Sequence, residues 1–533
     1  MKKNGLLKLS PDRRWALAAL AVSVFVFHLA TLLDYPAPSC DETFYSRTAL
    51  RYTQALATGE TWPPRGALFF APHGRSYWLL LSSAFALLGQ SLFTARLVSL
   101  LGLAALAAAT YLVGRLYVSR PVGLWAASLI SLAWLSLYAG HFARPDILAA
   151  AANTATLGLL HLATARRRGS LYLALGLAAS LQMDLHLNLL HFLLPTILVA
   201  LFQIYRNRAW PHFVALSLGL VIGGGIFAAV HLGNAVGQFT GGVSASPSGL
   251  LNSYTGFSTQ NLLAGTLIAL ADQWWKYYLW FAPFLSLPQA ALFMLGLGYA
   301  PFSRDRNLLT LFFIALLANL TFAAVNQRYQ LLGYSLHWLP LYLVLGVAAL
   351  ERLTANLNWR GVRPATLALL GLAALYLAGD IRLTSAQLGE TYRRDARVLF
   401  EDVPPGSRVL TASYWWLEMR DTVVLIDEYQ LMPFNTILWW NGLPELTTAQ
   451  AQALAGERLI EEDEVRDRIL ALKPNYVIDD TVIGCLSDQE ETARGLTDYV
   501  AQHCILIQVY KSAFANRLQP IERPQSVYTC PAP

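Results

Sequence analysis

The chain has 533 residues, of which 55% are hydrophobic and only 14% are charged. Soluble domains carry about 25% charged residues, so this balance, with a positive mean hydropathy, excludes an ordinary soluble globule. The net charge of +6 is unevenly divided: residues 1–380 carry 25 Lys and Arg against 11 Asp and Glu, and residues 381–533 carry 14 against 22.

A basic, apolar part (1–380) thus precedes an acidic, more polar tail (381–533) of ordinary domain length. The basic excess follows membrane topology, and nucleic acid is not expected as a partner. A helix needs about 20 apolar residues to cross a bilayer. The first such run, from Trp15 to Leu33, is longer than a signal-peptide core and ends in Asp34-Tyr35-Pro36 without a small-residue cleavage site, so a retained span is expected. Further spans are expected at 93–114, 121–140, 146–164, 170–184, 187–205, 212–232, 283–302, 307–325, 333–350 and 364–380. These eleven spans place the basic clusters, from Lys2 and Lys3 through Arg115, Arg166, Arg206 and Arg304 to Arg363, on one side, which is the cytoplasmic side by the positive-inside rule. The N-terminus is then cytoplasmic and the tail extracytoplasmic. "YWLLLSSAFALLG", residues 77–89, is too short to span, and counting it would invert every later loop. It is expected to be an interfacial or re-entrant helix.

This topology gathers Asp34, Asp41, Glu42, Glu60, Asp146, Asp184, Asp272 and Asp380 on or near the outer side, with cations that include Arg47, Arg75, Arg96, Arg144 and Arg328. Charges held at a membrane surface are costly and have partners or functions. The outer face is therefore the chemical face. Two outer loops are long, 34–92 and 233–282, and the second is expected to lack regular patterning. Beyond residue 390, "SRVLTASYWW", "TVVLID" and "NYVIDD" read as strands and 446–472 as helix, which predicts a small α/β domain outside the membrane. All four cysteines, Cys40, Cys485, Cys504 and Cys530, fall outside; those of the tail allow three pairings of one disulfide, and none has metal-site spacing.

"PAPSCDETFYSRTALRY", residues 36–52, sets Asp41 and Glu42 side by side after the first span. In a helix Asp41 and Tyr45 share a face. Two readings stand: Asp41 caps the helix dipole, or a carboxylate near the outer leaflet deprotonates a hydroxyl. In "APHGRSYW", His73 and Arg75 suit either a lipid-linked phosphate or bulk headgroups. "HFARPDILAA" places Arg144, Pro145 and Asp146 either as an ordinary helix start or as organisers of the acidic site. "LQMDLHLNLLHF" sets Asp184, His186, Asn188 and His191 around an outer turn, as polar turn residues rather than a metal signature. "VNQRYQLLGYSLHWLP" offers Gln327, Arg328 and Tyr329, with Arg328 a second phosphate candidate. No G-x-x-x-x-G-K-[ST] or H-E-x-x-H occurs, so the signs of ATP-driven transport and of a zincin protease are missing.

Three motifs in order, "DETFYSRTALRY" after the first span, "SYWLLLSSAFALLGQSLFTARLVSLL" leading into the second, and "ARPD" at the outer end of a later one, resemble the GT-C glycosyltransferases. The resemblance is closest to the dolichyl-phosphate-mannose–protein mannosyltransferase family and its bacterial relatives, which include the transferase that adds aminoarabinose to lipid A. It covers about residues 15–380. It implies a polytopic α-helical GT-C domain that transfers one sugar from a polyprenyl-phosphate donor to a hydroxyl of a glycan, lipid or protein, with inversion, on the outer face of a bacterial inner membrane. Asp41 would be the acid-base residue, with Glu42 beside it and Tyr45 lining the site; Arg144, Asp146, Asp184 and His186 are expected to contact substrate on their outer-side positions. The chain departs from bacterial relatives at Phe44, where a basic residue is frequent, and at "APHGRSYW", where Lys-Pro-Pro is frequent. His73 or Arg75, with Arg328, would then hold the phosphate. No cofactor is required by an already activated donor; a divalent Mg or Mn would fall to Asp41 and Asp146. The alternative is a multi-pass transporter or lipid flippase, against which stand the lack of an internal repeat and the clustering of charge at one face.

Overall fold

The computed structural model describes residues 22–36, 38–58, 75–186, 189–239, 262–274, 283–325, 332–357, 362–385, 392–427, 467, 469–479, 490–512 and 523–531. Residues 22–30 form helix α1, and a turn at 31–36 leads into α2, Cys40–Thr58. Then come α3 (Arg75–Leu88), α4 (Leu92–Tyr117), α5 (Arg120–Leu132), α6 (Trp134–Gly140), α7 (Asp146–Arg166) and α8 (Gly169–Leu181). The bundle continues with α9 (Leu190–Arg206), α10 (Trp210–Phe239), α11 (Leu262–Gln273), α12 (Pro283–Tyr299), α13 (Arg306–Val325), α14 (Leu339–Leu353) and α15 (Pro364–Ser385).

In hydrocarbon a helix is favoured because it satisfies every backbone group within one segment. Five of these helices are long and apolar enough to cross a membrane: α4, α7, α10 over Trp210–Ala229, α13 and α15. α5 and α6 pass the same test only together, as a pair bent by 62° that is either a broken span or a re-entrant loop. The bend lies at Ala133, whose extended backbone breaks the helix. His28 of α1 donates from Nε2 to the carbonyl of Ser131 (2.9 Å), in the last turn before the break. Four further expected spans coincide with shorter helices: α8 has 13 residues, α9 and α12 have 17 each, and α14 has 15; of the expected first span, 15–33, only 22–33 lies within the described residues, with α1 over 22–30.

Three crossings rely on facing glycines: Gly114 with Gly123, Gly176 with Gly219, and Gly296 with Gly346, each pair bringing two backbones into contact. A Cβ on Gly219 would run into the carbonyl of Leu173, whereas one on Gly224 meets nothing within 4 Å. Gly219→Val is therefore expected to separate α8 from α10 and cost about 1–3 kcal/mol. Gly224→Val is the matched control; thermal melting of the detergent-purified protein compares the two.

The residue 77–89 segment is helical, as α3, and packs beside α2 through Phe44, Tyr45, Tyr77 and Trp78. The expectation for the second outer loop needs correction. Residues 233–239 extend α10, and 262–273 form α11, so the loop is not without regular structure. The Gly/Ser/Thr signal at 240–261 masked the apolar "LLAGTLIALADQ" that follows it.

The tail begins with α16 (Tyr392–Leu399) and carries strands β1 (Arg408–Leu410), β2 (Val424–Ile426), β3 (Tyr476–Asp479), β4 (Ile505–Ser512) and β5 (Arg523–Thr529). Their order is β2-β1-β3-β5-β4; β1 is parallel to β2 and β3, while β5 is antiparallel to β3 and β4. Short helix α17 (Trp416–Met419) lies between β1 and β2, and α18 (Glu490–His503) packs Leu496, Tyr499 and Val500 against Leu410, Ile426 and Val477. Of the three possible tail disulfides, Cys504–Cys530 is formed. It ties the end of α18 to the end of β5. The strands expected at 408, 424 and 476 are present; β4 and β5 were not expected, and in β5 Pro524 and the polar residues after it hide a strand. Of the helix expected over 446–472, only 467 and 469–472 lie within the described residues, and these are helical.

Candidate active site

α2 begins with a reciprocal cap. Ser39 Oγ accepts the backbone N–H of Asp41 (3.2 Å), and Glu42 Oε2 accepts the backbone N–H of Ser39 (3.2 Å). This is a capping box, S-x-x-E, written in the sequence as "SCDE". The capping carboxylate is thus Glu42, not Asp41.

Glu42 is also held by Arg96 of α4. Arg96 donates from Nε to Oε1 and from Nη2 to Oε2, both at 2.9 Å, and from Nη1 to the carbonyl of Leu32 (3.0 Å). The backbone N–H of Ala143 adds a further bond to Oε1 (2.9 Å). The Glu42 side chain is 1% exposed and accepts four hydrogen bonds. It joins α2, α4 and the segment before α7.

One residue back, Asp41 faces another way. Its Oδ2 takes the Nη1 of Arg144 at 2.5 Å, while Arg144 Nε lies 2.8 Å from Oδ2 of Asp146. One guanidinium therefore bridges two carboxylates, from the first turn of α2 and the first turn of α7. Asp41 is 30% exposed and Asp146 only 4%. Oδ1 of Asp146 has no hydrogen-bond partner. Burial opposes the charge on Arg144, but Asp146 and then Asp41 hold its pKa well above the usual arginine value.

Tyr45, one turn beyond Asp41, is buried with its ring edge-to-face on Tyr77 at 5.3 Å. Burial, opposed by Arg144 and reinforced by Asp41 and Asp146, pushes its phenol well above the usual range, so it remains a hydrogen-bond donor at neutral pH. His186 is buried nearby, edge-to-face with Tyr334 at 5.6 Å. Burial, with His337 and Arg144 adding to it, lowers His186 to about 3. His141 is likewise lowered well below 6.5, by burial first and by His28 next. Asn153 Nδ2 and His337 Nδ1, 3.2 Å apart, lie deeper between α7 and the 3-10 segment Leu332–His337.

Both histidines have pKa values lowered in the folded protein, whereas the unfolded chain protonates them near pH 6.5. A depressed pKa gives stability that is complete above the unfolded value and is lost as pH falls below it. His186 is thus expected to remove about 1.4 kcal/mol per pH unit below pH 6.5, with a loss of the same sign from His141. Melting temperature measured from pH 7 to pH 5 checks this; His186→Gln should flatten the slope.

The structure brings Asp41, Glu42, Tyr45, Arg144, Asp146 and His186 together at one end of the bundle. Asp184 lies beside them but is used differently: its Oδ2 accepts from the backbone N–H of Ser76 (2.9 Å) and from the Ser76 hydroxyl. It thereby caps the start of α3, a carboxylate at a helix N-terminus. Arg75 is the first residue of α3, but its side chain, like His73, Arg328 and their surroundings, lies outside the described residues. Arg96, Tyr334 and His337 were not singled out as site residues from the sequence. Arg96 was visible as the arginine of "GQSLFTARL", and the other two stand in "GYSLHWLP".

A divalent cation does not fit this constellation. Asp41 and Asp146 turn their carboxylates to Arg144, and among the described residues no group of three or more His, Cys, Asp or Glu is placed to hold an ion.

No family model and no curated protein matches the chain. Among solved structures it is similar to ArnT from Cupriavidus metallidurans in the apo state, with a TM-score of 0.55 at 14% identity, covering 97% of this chain and 98% of that one. The same protein bound to undecaprenyl phosphate gives 0.50 at 16% identity, covering 96% and 98%. The archaeal oligosaccharyltransferase AglB from Archaeoglobus fulgidus, in complex with an inhibitory peptide and a dolichol-phosphate, gives 0.46 at 14% identity, covering 88% and 70%. Over nearly its whole length, then, the chain has the fold of ArnT.

Proposed function

We infer that the chain is a membrane glycosyltransferase that moves a single hexosyl or pentosyl unit from a polyprenyl-phosphate donor to an acceptor hydroxyl, with Asp41 as general base. The observation that carries this is the contrast among the three clustered carboxylates. Glu42 is saturated, Asp146 is buried, and only Asp41 is both exposed and fixed in direction. The fold shared with a protein whose structure holds undecaprenyl phosphate supports the donor class.

In this reading the acceptor oxygen attacks the anomeric carbon, its proton passes to Asp41, and the bond from the anomeric carbon to the phosphate oxygen breaks. Polyprenyl phosphate leaves and the anomeric centre inverts in one displacement. Arg144 aims the Asp41 carboxylate, and Oδ1 of Asp146 accepts from a sugar hydroxyl, a role supported by its lack of a hydrogen-bond partner. Tyr45 donates from the same face of α2. His73, Arg75 and Arg328 are proposed for the phosphate, where developing charge needs fixed donors. Eleven spans, a cytoplasmic N-terminus and an extracytoplasmic tail from residue 381 would put this chemistry on the outer face of a bacterial inner membrane.

The test is a panel of radiolabelled polyprenyl-phosphate monosaccharides offered to the purified protein, with native membrane extract as acceptor source. Label in a new product from one donor, with the opposite anomeric configuration, is the expected outcome. Retention of configuration would overturn the single displacement and require a covalent sugar intermediate.

A further inference from the structure

α2 presents residues 41 and 45 to the site. At about 100° per residue, positions 43 and 47 fall on the opposite side of the same helix. That side faces the C-terminal domain. The Thr43 hydroxyl donates to the carbonyl of Ser413 (2.9 Å), 370 positions away in sequence. Arg47 Nη2 lies 2.5 Å from Oδ2 of Asp427, just beyond β2, and the two side chains are 4% and 0% exposed. The Arg47 guanidinium also stands over the ring of Trp416 in α17, 4.8 Å from its centroid.

We propose that the Arg47–Asp427 ion pair, with the Thr43 bond to Ser413, is a positioning clamp through which the C-terminal domain sets the rotation of α2 and so the aim of Asp41. This rests on the transferase reading above. Asp41 and Arg47 are six positions apart on one rigid helix, so a rotation that relaxes Arg47 carries Asp41 with it. The cap at Ser39 fixes the start of the helix, and Arg96 holds Glu42 from a third direction. Neither fixes the side that the tail touches. Trp416 lies against the Arg47 guanidinium and confines it beside Asp427. Arg47 and Asp427 are thus positioning residues for Asp41, although neither lies at the reacting atoms.

A buried ion pair replaced by apolar residues of like volume keeps or gains stability, whereas loss of one partner unfolds. The informative variant is therefore the double substitution Arg47→Met with Asp427→Leu. Three readouts are compared with wild type in the full-length detergent-purified protein: melting temperature, hydrogen exchange in the 40–58 peptide, and kcat and KM for the donor. The expected result is an unchanged melting temperature, exchange in 40–58 at least tenfold faster, and kcat at least tenfold lower with KM within twofold. Arg47→Lys, which keeps the charge and loses the planar guanidinium over Trp416, falls between the two. Recovery of both wild-type exchange and wild-type kcat in the folded double variant would overturn the clamp and leave the pair as charge compensation alone. If wild type transfers no sugar, the transferase reading fails separately, and exchange in 40–58 still decides whether the tail restrains α2.

Discussion

Asp41→Asn is expected to lower turnover by about 10²–10⁴-fold, the usual contribution of a general base. Donor affinity should change by less than about threefold and melting temperature little, because the amide keeps the shape and one oxygen to accept from Arg144. The partly exposed setting of Asp41 limits the cost of the substitution to the fold. Steady-state kinetics and donor binding on the same preparation measure the split. Glu42→Gln separates the neighbours: its effect should appear first in the melting temperature, since it weakens a capping bond and a bidentate pair together. A melting curve unchanged by Glu42→Gln, with turnover abolished, would assign the base to Glu42.

The largest effect on stability is expected from Arg96→Leu. This side chain is fully buried and supplies three hydrogen bonds, two to Glu42 and one to the carbonyl of Leu32. Its removal leaves an ionised carboxylate in the bundle with only two backbone N–H donors, from Ser39 and Ala143. Breaking one side of such a pair costs about 3–5 kcal/mol. The purified variant should melt well below wild type or fail to accumulate. Adding Glu42→Leu should recover part of the loss but not all, because Ser39 and Ala143 then lose their acceptor. A single Arg96→Leu variant that melts like wild type would contradict this account of the junction among α2, α4 and the segment before α7.

The helices were legible because a membrane removes alternatives: apolar length and basic flanks place α4, α7, α10, α13 and α15 within a few residues of the expected spans. α3 was also readable as an apolar helix too short to span. α11 was hidden behind a Gly/Ser/Thr run, and β5 behind a proline and polar residues, since a strand buried between two others needs no apolar alternation of its own to pair. In the site, proximity of Asp41 and Glu42 in sequence suggested shared work. The fold divides them, because adjacent helical residues point about 100° apart. "SCDE" held the capping box that tells them apart, and "TARL" held the arginine that binds Glu42. Nothing local indicates that Arg47 meets Asp427, since that pairing depends on how the tail packs.

The most direct measurement of the central claim follows the fate of the sugar. Purified protein is placed in liposomes carrying a polyprenyl-phosphate donor labelled in the sugar, with acceptor supplied outside. The label should become covalently attached to the acceptor, with one polyprenyl phosphate released per sugar transferred, and Asp41→Asn should suppress both. Label that crosses the bilayer still attached to its lipid, in wild type and Asp41→Asn alike, would contradict the account and make the chain a transporter.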